Sequence, residues 1–284
     1  MQRYFIAPEL FADNSVTIMG DDAHHIIRVM RAKVGEKIIV SDGVNREALV
    51  RINEMGKDQV FADIVELLEM NHEPAVEVWI AQSLPKGDKM ELVIQKGTEI
   101  GAGRFIPFVS ERTVVQLDAK KEGKRVERWQ KIAKEAAEQA HRNRIPAVDA
   151  PLSWKQLLQC ATQADAAWIC YEKQDGLQLR QEIQAALSVM KDVAAPIDSG
   201  LNSVTIEDKA MPVSLKTRSE SQQAKPKLML IVGPEGGFSE REIEAAEAAG
   251  CRSISLGRRI LRTETAAMVG LTCILYESGE MGGQ

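Results

Sequence analysis

The pattern of hydrophobic and polar positions changes at about residue 70. Before that point, short apolar-polar alternations separated by Asp-Gly and Met-Gly-Lys-Asp turns predict strands, which we place at 37–42, 47–53 and 59–68. Asp21 or Asp22 is positioned to cap one helix, which ends before Gly35. The apolar residues of that helix are Ile26, Ile27, Val29 and Met30. Together these elements predict a small, mainly antiparallel barrel over residues 1–72.

A polar linker at residues 71–74 precedes a second pattern. Over residues 76–284, short apolar runs alternate with amphipathic segments, which predicts an α/β domain with a mainly parallel sheet. The predicted strands are 76–81, 104–109, 166–171, 228–232 and 253–256. One helix is expected to begin at Asp88, with Glu91 completing a capping pair, and another to span 124–141. Residues 192–226 are rich in serine and proline and lack periodicity, so we predict an irregular insertion there.

Composition and charge narrow the class of protein. A chain of 284 residues with 44% hydrophobic and 27% charged residues is typical of a globular protein. Its apolar runs are shorter than the ~18 residues of a membrane helix, and its first residues do not resemble a secretory signal. Its four cysteines lack the spacing of a metal site, so we expect no metal and reduced, buried thiols in a cytoplasmic protein.

The distribution of charge matters more than the net charge of −5. Residues 1–72 carry 8 basic and 12 acidic side chains, whereas residues 80–145 carry 14 basic and 9 acidic ones. A local basic region on an acidic protein can still bind phosphates, so the composition permits an RNA partner without establishing one.

The strongest chemical signal is a glycine-rich turn between a strand and a helix. The predicted strand 228–232 is followed by Gly-Pro-Glu-Gly-Gly at 233–237, and Ser239 and Glu242 form a capping box for the next helix. Glycines at such a turn let a ligand approach the backbone closely. Because the spacing is neither that of a dinucleotide fingerprint nor that of a phosphate loop, the motif indicates a nucleotide-like ligand without a phosphate cradle.

A second motif, Leu-Gly-Arg-Arg-Ile-Leu-Arg-Thr-Glu-Thr-Ala-Ala, occupies residues 256–267. Its loop carries Arg258, Arg259 and Arg262, which suit an anionic or planar group, and Thr263 is positioned to cap the final helix. That helix is apolar on nearly every face, so we expect it to be buried in the core or against a second subunit.

Together, GPEGGFSEREIEAA and SLGRRILRTETA resemble the SPOUT methyltransferase superfamily, and more narrowly the family that methylates N3 of a uridine in 16S ribosomal RNA. The motifs RYF, HHIIRVMR, QKGTEIG, SER and EQAHR at 3–5, 24–31, 95–101, 110–112 and 138–142 agree with that family. The similarity extends over nearly the whole chain except 192–226. Two departures are Gly97, where the family commonly has alanine, and Arg258, where it has proline.

The resemblance implies a PUA-like RNA-binding barrel followed by a SPOUT domain with a deep trefoil knot. It also implies a homodimer, S-adenosylmethionine (SAM) as cofactor, and 16S ribosomal RNA of the small ribosomal subunit as partner. The cofactor-binding residues implied are Gly233, Pro234, Glu235, Gly236, Gly237, Leu256, Gly257, Ile260, Leu261, Thr265 and Ala266.

Two residues are catalytic candidates, each with an alternative role. Arg262 could stabilise negative charge on the uracil oxygens, or it could pair with Glu264 or Glu235. Glu264 could accept the N3 proton, or it could be an acid favoured by the helix dipole. The RNA-binding candidates are Arg3, His25, Arg28, Arg31, Lys86, Lys89, Arg112 and Arg142, for which a solvated charged surface is the competing interpretation.

Two other functions stay open from the sequence. One is a SPOUT methyltransferase that acts on another RNA position, such as a ribose 2′-hydroxyl. The other is a non-catalytic RNA-binding factor in ribosome assembly.

Overall fold

The computed structural model describes residues 1–115, 119–172, 179–194 and 225–282. It contains an N-terminal five-stranded sheet and a larger C-terminal sheet. Most of the predicted insertion at 192–226 lies outside the described residues. The domain bounds 1–72 and 76–284 stay predictions.

The N-terminal sheet has the strand order β1-β3-β4-β5-β2. Its strands are β1 (Arg3–Phe5), β2 (Ser15–Met19), β3 (Lys37–Ser41), β4 (Glu47–Met55) and β5 (Gln59–Leu67). β1 and β3 pair in parallel, and the other pairs are antiparallel. Alternate residues such as Val16 and Ile18 of β2 are buried, so one face of the sheet forms a core. The three predicted strands are confirmed, whereas closure into a barrel stays a prediction.

The C-terminal sheet has the order β12-β10-β11-β6-β7-β8, with β9 paired to β7, and all its described pairs are parallel. The strands are β6 (Glu77–Ser83), β7 (Arg104–Val109), β8 (Ala147–Val148), β9 (Leu152–Ser153), β10 (Ala166–Cys170), β11 (Lys227–Val232) and β12 (Arg252–Ile254). The helices are α1 (Gly20–His24) in the N-terminal part and α2 (Lys89–Ile100), α3 (Ala119–Gln139), α4 (Trp154–Ala161), α5 (Leu179–Ala194), α6 (Glu240–Ala248) and α7 (Thr263–Glu277). The predicted α/β class is therefore confirmed.

Both faces of the C-terminal sheet are covered. In β6, Val78 and Ile80 pack into one core cluster, while Trp79 and Ala81 pack into another on the opposite face. A strand that is buried on both faces has no polar alternation, which is why the predicted strands appear in the sequence as short apolar runs.

The first helix differs from its prediction. α1 begins at Gly20 after Met19, so Asp21 and Asp22 are not its caps but lie in its first turn. Their carboxylates instead accept hydrogen bonds from two lysines of α3, over 2.9 Å and 2.6 Å. The chain continues as a π-helical turn over His25–Val29, which leaves Val29 and the following Met30 exposed rather than on an apolar face.

Two of the predicted caps differ from the structure. Asp88 is the N-cap residue of α2, as predicted, but its side chain makes no capping hydrogen bond. Thr263 is the first residue of α7 rather than its cap, which is Arg262. The Ser239–Glu242 capping box is confirmed. A second box at Ser153 begins α4, and its Ser-x-x-Gln pattern was available in the sequence.

Gly97, one of the two departures from the family pattern, lies where α2 packs closely against β7. A Cβ atom at Gly97 would be 2.7 Å from Cε1 of Phe105. The absence of a side chain therefore permits this close approach of helix and strand.

A buried polar cluster joins the N-terminal sheet to the C-terminal part. Nη2 of Arg3 donates to Oε1 of Glu47 over 2.7 Å, and Nη1 donates to the Arg142 carbonyl over 2.6 Å. Arg142 pairs with Glu73, and Asn143 Nδ2 donates to the other carboxylate oxygen of Glu47. Arg3 and Arg142 are only 3% and 4% exposed, so we withdraw both from the predicted RNA surface and assign them to this contact.

In the part of the chain that the structure describes, no helix is long and apolar enough to cross a membrane. The same residues include no group of three or more His, Cys, Asp or Glu side chains that could hold a metal ion. Cys160 and Cys251 are buried, as expected of structural thiols, whereas Cys170 is partly buried and Cys273 is exposed. The prediction that all four thiols are buried is therefore wrong.

Candidate functional site

A pocket of about 430 Å³ lies where β10, β11 and β12 end. Ligands of open α/β sheets bind outside the carboxyl ends of strands, and the volume is within the range of small-molecule sites. Of the predicted cofactor residues, those that line it are Gly233, Pro234, Glu235, Gly237, Leu256, Gly257, Ile260, Leu261 and Ala266. Gly236 and Thr265 do not line it.

The loop after β11 forms a tight turn. The Gly237 amide donates to the Pro234 carbonyl over 2.9 Å, and Gly237 has a φ of +65°, which favours glycine. Arg112, a predicted RNA contact, donates from Nη1 to the Gly236 carbonyl over 2.9 Å. A Cβ atom at Gly236 would lie 3.3 Å from Cβ of Arg112. The absence of a side chain at Gly236 therefore makes room for Arg112 rather than for a ligand in the pocket.

The loop after β12 forms the opposite wall. Gly257 has a φ of +106°, and its amide donates to Oγ of Ser255 over 3.2 Å. Leu256 and Leu261 pack against the core, while Ile260 is 88% exposed. The wall thus combines backbone atoms with apolar side chains, which suits a planar heterocycle.

Gln82 is part of this site and was missed by sequence analysis. Its amide nitrogen donates to Oγ1 of Thr263 over 2.8 Å, and the Thr263 hydroxyl donates to the Gly233 carbonyl over 2.6 Å. The signal that could have identified it is its position directly after the apolar run 78–81, where the polar Gln82 and Ser83 end a buried strand.

Lys89 lies between two acidic residues at the edge of the pocket. Its Nζ is 2.8 Å from Oε1 of Glu235 and 3.7 Å from Oε2 of the buried Glu264. The hydrogen bond to Glu235 raises the pKa of Lys89. Burial acts to raise the pKa of Glu235, but hydrogen bonds from Lys89 and from backbone amides outweigh it, so that pKa lies below its ordinary value. Lys89, predicted to contact RNA, is therefore held in an ion pair at the pocket.

Arg262 is exposed and lines the same pocket. Among the described residues it has no hydrogen-bond or ion-pair partner, because Glu235 and Glu264 are directed to Lys89. In the structure, Arg262 therefore pairs with neither glutamate. Its guanidinium is available to a ligand.

The N-terminal candidates lie together on the π-helical turn and the residues after it. His25 is partly buried, and its Nδ1 shares a hydrogen bond of 2.9 Å with the hydroxyl of Tyr4. Burial, with further contributions from Glu138 and Asp22, raises the pKa of Tyr4 to about 12. Arg28 and Arg31 are exposed, as is Lys86 in the C-terminal part.

Comparison with known proteins gives the family. The model of an RNA methyltransferase domain matches residues 72–197 and 179–275, and that of an RNA methyltransferase PUA domain matches 18–65. Ribosomal RNA small subunit methyltransferase E of Bacillus subtilis is 37% identical over 286 aligned residues, which cover 100% of this chain and 99% of the relative. The chain belongs to the ribosomal RNA small subunit methyltransferase E family. The Synechocystis member of this family is 31% identical over 96% of this chain and 76% of its own length.

Solved structures agree with the family. The Legionella pneumophila protein Lpg2936, in complex with SAM, has a TM-score of 0.74 and is 29% identical, with 96% of each chain covered. The small subunit methyltransferase E of Neisseria gonorrhoeae, also bound to SAM, has a TM-score of 0.74 at 24% identity over 97% of each chain. The similarity to the Neisseria gonorrhoeae structure shows that the two proteins share a fold.

Proposed function

We propose that this protein transfers a methyl group from SAM to N3 of a uridine in 16S ribosomal RNA. The observation that carries the proposal is the pocket between the two glycine-bearing loops, in a chain aligned over its whole length with a family of ribosomal RNA methyltransferases. Backbone groups at Gly233 and Gly257, with apolar walls from Leu256 and Leu261, fit the adenosyl part of SAM. When bound, SAM supplies an electrophilic methyl group.

The enzyme must favour loss of the uracil N3 proton, because N3 is protonated at neutral pH and the neutral nitrogen is a poor nucleophile. We propose that Glu264 accepts this proton: its buried Oε2 makes no hydrogen bond among the described residues and lies 3.7 Å from Nζ of Lys89. The unpartnered guanidinium of Arg262 would stabilise the negative charge that spreads to the uracil oxygens. The N3–C bond forms as the S–C bond breaks, with S-adenosylhomocysteine as the other product.

The RNA contacts that we retain are exposed or partly buried basic side chains. Arg28 and Arg31, together with His25, would hold RNA on the N-terminal part, and Lys86 and Arg112 would hold it near the pocket. Contacts with phosphates supply a large share of the free energy of RNA binding, so even a few basic side chains contribute strongly.

The resemblance to SPOUT proteins also leads us to propose a deep trefoil knot in the C-terminal part and a homodimer. One face of α7 is buried against the sheet, but Cys273 and the 59% exposed Tyr276 lie on its other side with the partly buried Val269. Val269, Cys273 and Tyr276 have helical spacing and form a single stripe. This stripe supports a second subunit as its cover, and the ribosomal substrate supports a cytoplasmic location.

Methylation of purified substrates tests the function. The protein is incubated with labelled SAM and either 16S RNA or small subunits from a strain that lacks the gene, and the modified nucleotide is identified by mass spectrometry. We expect 3-methyluridine at a single position. A methylated ribose would indicate the alternative SPOUT activity, and tight RNA binding without any methylation would indicate a non-catalytic assembly factor.

A further inference from the structure

Gln82, Thr263 and Gly233 form a buried chain of hydrogen bonds that ends at the pocket. The two bonds, of 2.8 Å and 2.6 Å, connect the end of β6, the first residue of α7 and the residue after β11. Gln82 is fully buried and Thr263 is 7% exposed. Three segments that are remote in sequence are thus joined at one hydroxyl group.

The chemistry of the groups determines the direction of donation. The Gly233 carbonyl can only accept, so the single Thr263 proton is directed to it, and the Thr263 oxygen accepts from Gln82. Gln82 must therefore present its amide nitrogen. The same nitrogen donates to the Ser83 carbonyl over 3.0 Å, which also requires nitrogen at this position.

We propose that Gln82 and Thr263 are positioning residues for the methyl-donor site. By holding the Gly233 carbonyl and the start of α7, they keep the two loops at the separation that binds SAM. Gly233 and Thr263 both line the pocket. The backbone of Gly233 also packs closely against Phe238, since a Cβ atom at Gly233 would lie 3.0 Å from that ring. The inference rests on the proposed SAM site.

Thr263→Val tests the role of the hydroxyl, because valine has nearly the same shape. We expect the affinity for SAM, measured by calorimetry, to fall at least about fivefold, since a buried carbonyl and a buried amide each lose a partner. Thr263→Ser restores the hydroxyl and should recover most of the affinity.

Thr98→Val is the matched control. Thr98 is fully buried in α2, and its Oγ1 has no hydrogen-bond partner among the described residues. Removing this hydroxyl should leave the affinity for SAM unchanged. Thermal unfolding of every variant separates loss of the site from loss of the fold.

Gln82→Met tests the other end of the chain and decides the question if Thr263→Val does not fold. It should lower the affinity for SAM about threefold or more, and its effect combined with Thr263→Val should be smaller than the product of the two single effects, because both act through one chain. Normal SAM affinity in folded Thr263→Val or Gln82→Met protein, or no recovery in Thr263→Ser, would overturn this inference alone. Absence of SAM binding by the wild-type protein would overturn the proposed function and the inference with it.

Discussion

Replacing Arg142 with methionine removes a guanidinium that holds the end of α3 to the linker. Its Nη1 donates to the Ala102 carbonyl over 2.6 Å and to that of Thr98 over 3.2 Å, and Nη2 lies 2.5 Å from Glu73. The side chains of Arg142 and Glu73 are 5% and 13% exposed. Methionine fills similar apolar volume but leaves the carboxylate and two carbonyls without this partner. Breaking a buried pair in this way costs about 3–5 kcal/mol.

Arg128→Met is the matched control, within α3, whereas Arg142 follows the end of that helix. Arg128 also pairs with a glutamate, Glu91, over 2.7 Å, but its side chain is 66% exposed. Exposed pairs contribute about 0–1 kcal/mol because water solvates both charges and salt screens them. The same substitution at the two positions therefore isolates the effect of burial.

Urea unfolding of both variants, followed by circular dichroism, measures the free energies of unfolding. We expect Arg142→Met to lose several times as much stability as Arg128→Met, while the folded fraction still binds SAM. If Arg142 were instead an RNA contact, the variant would have normal stability and weaker RNA binding. Equal stability of the two variants would refute the burial argument.

Three further predictions concern the site, acid stability and assembly. Arg262→Ala should lower turnover on the order of 100-fold with little change in SAM affinity. Replacing Arg28 and Arg31 with Ala should instead weaken RNA binding and make its salt dependence shallower, while methylation at saturating RNA stays intact. Burial acts to raise the pKa of Asp42, but hydrogen bonds from three backbone amides and an arginine lower that pKa overall. The ionised carboxylate therefore stabilises the fold above the unfolded pKa of about 3.9, and this stabilisation is lost as pH falls through the folded pKa. Asp42→Asn should reduce stability at pH 7 and weaken the decrease of stability in acid, as measured by thermal unfolding from pH 2 to 7. Tyr276→Glu should convert a dimer into monomers in sedimentation, and a wild-type protein that sediments as a monomer would contradict the dimer.

The glycine loops could be predicted because their requirements are local. A strand that ends in Gly-Pro-Glu-Gly-Gly and continues into a capping box defines a turn from adjacent residues alone, and the structure has the turn at 233–237 and the helix at Glu240–Ala248. The short β1 could not be predicted in this way. Three residues are too few for a periodic pattern, and β1 forms only because β3 pairs with it.

The order of strands in the C-terminal sheet also could not be predicted from the sequence. β6 lies between β7 and β11, although β11 follows it by more than a hundred residues, and this neighbourhood brings Gln82 to Thr263. No local pattern contains that information, because strand adjacency depends on which apolar faces pack best over the whole domain. Sequence analysis could therefore name the two loops without naming the residue that connects them.

The predicted RNA-binding cations illustrate the same limit for charge. A lysine or arginine has the same appearance in a sequence whether or not an acidic partner approaches it from elsewhere. Glu235 neutralises Lys89 from 146 positions away, and Glu47 holds Arg3 across two strands. Because an ion pair must be broken before its cation can bind a phosphate, such residues offer RNA less than an unpaired arginine does. The exposed Arg28, Arg31 and Arg262 are consequently the positions at which mutation should separate RNA binding from catalysis most clearly.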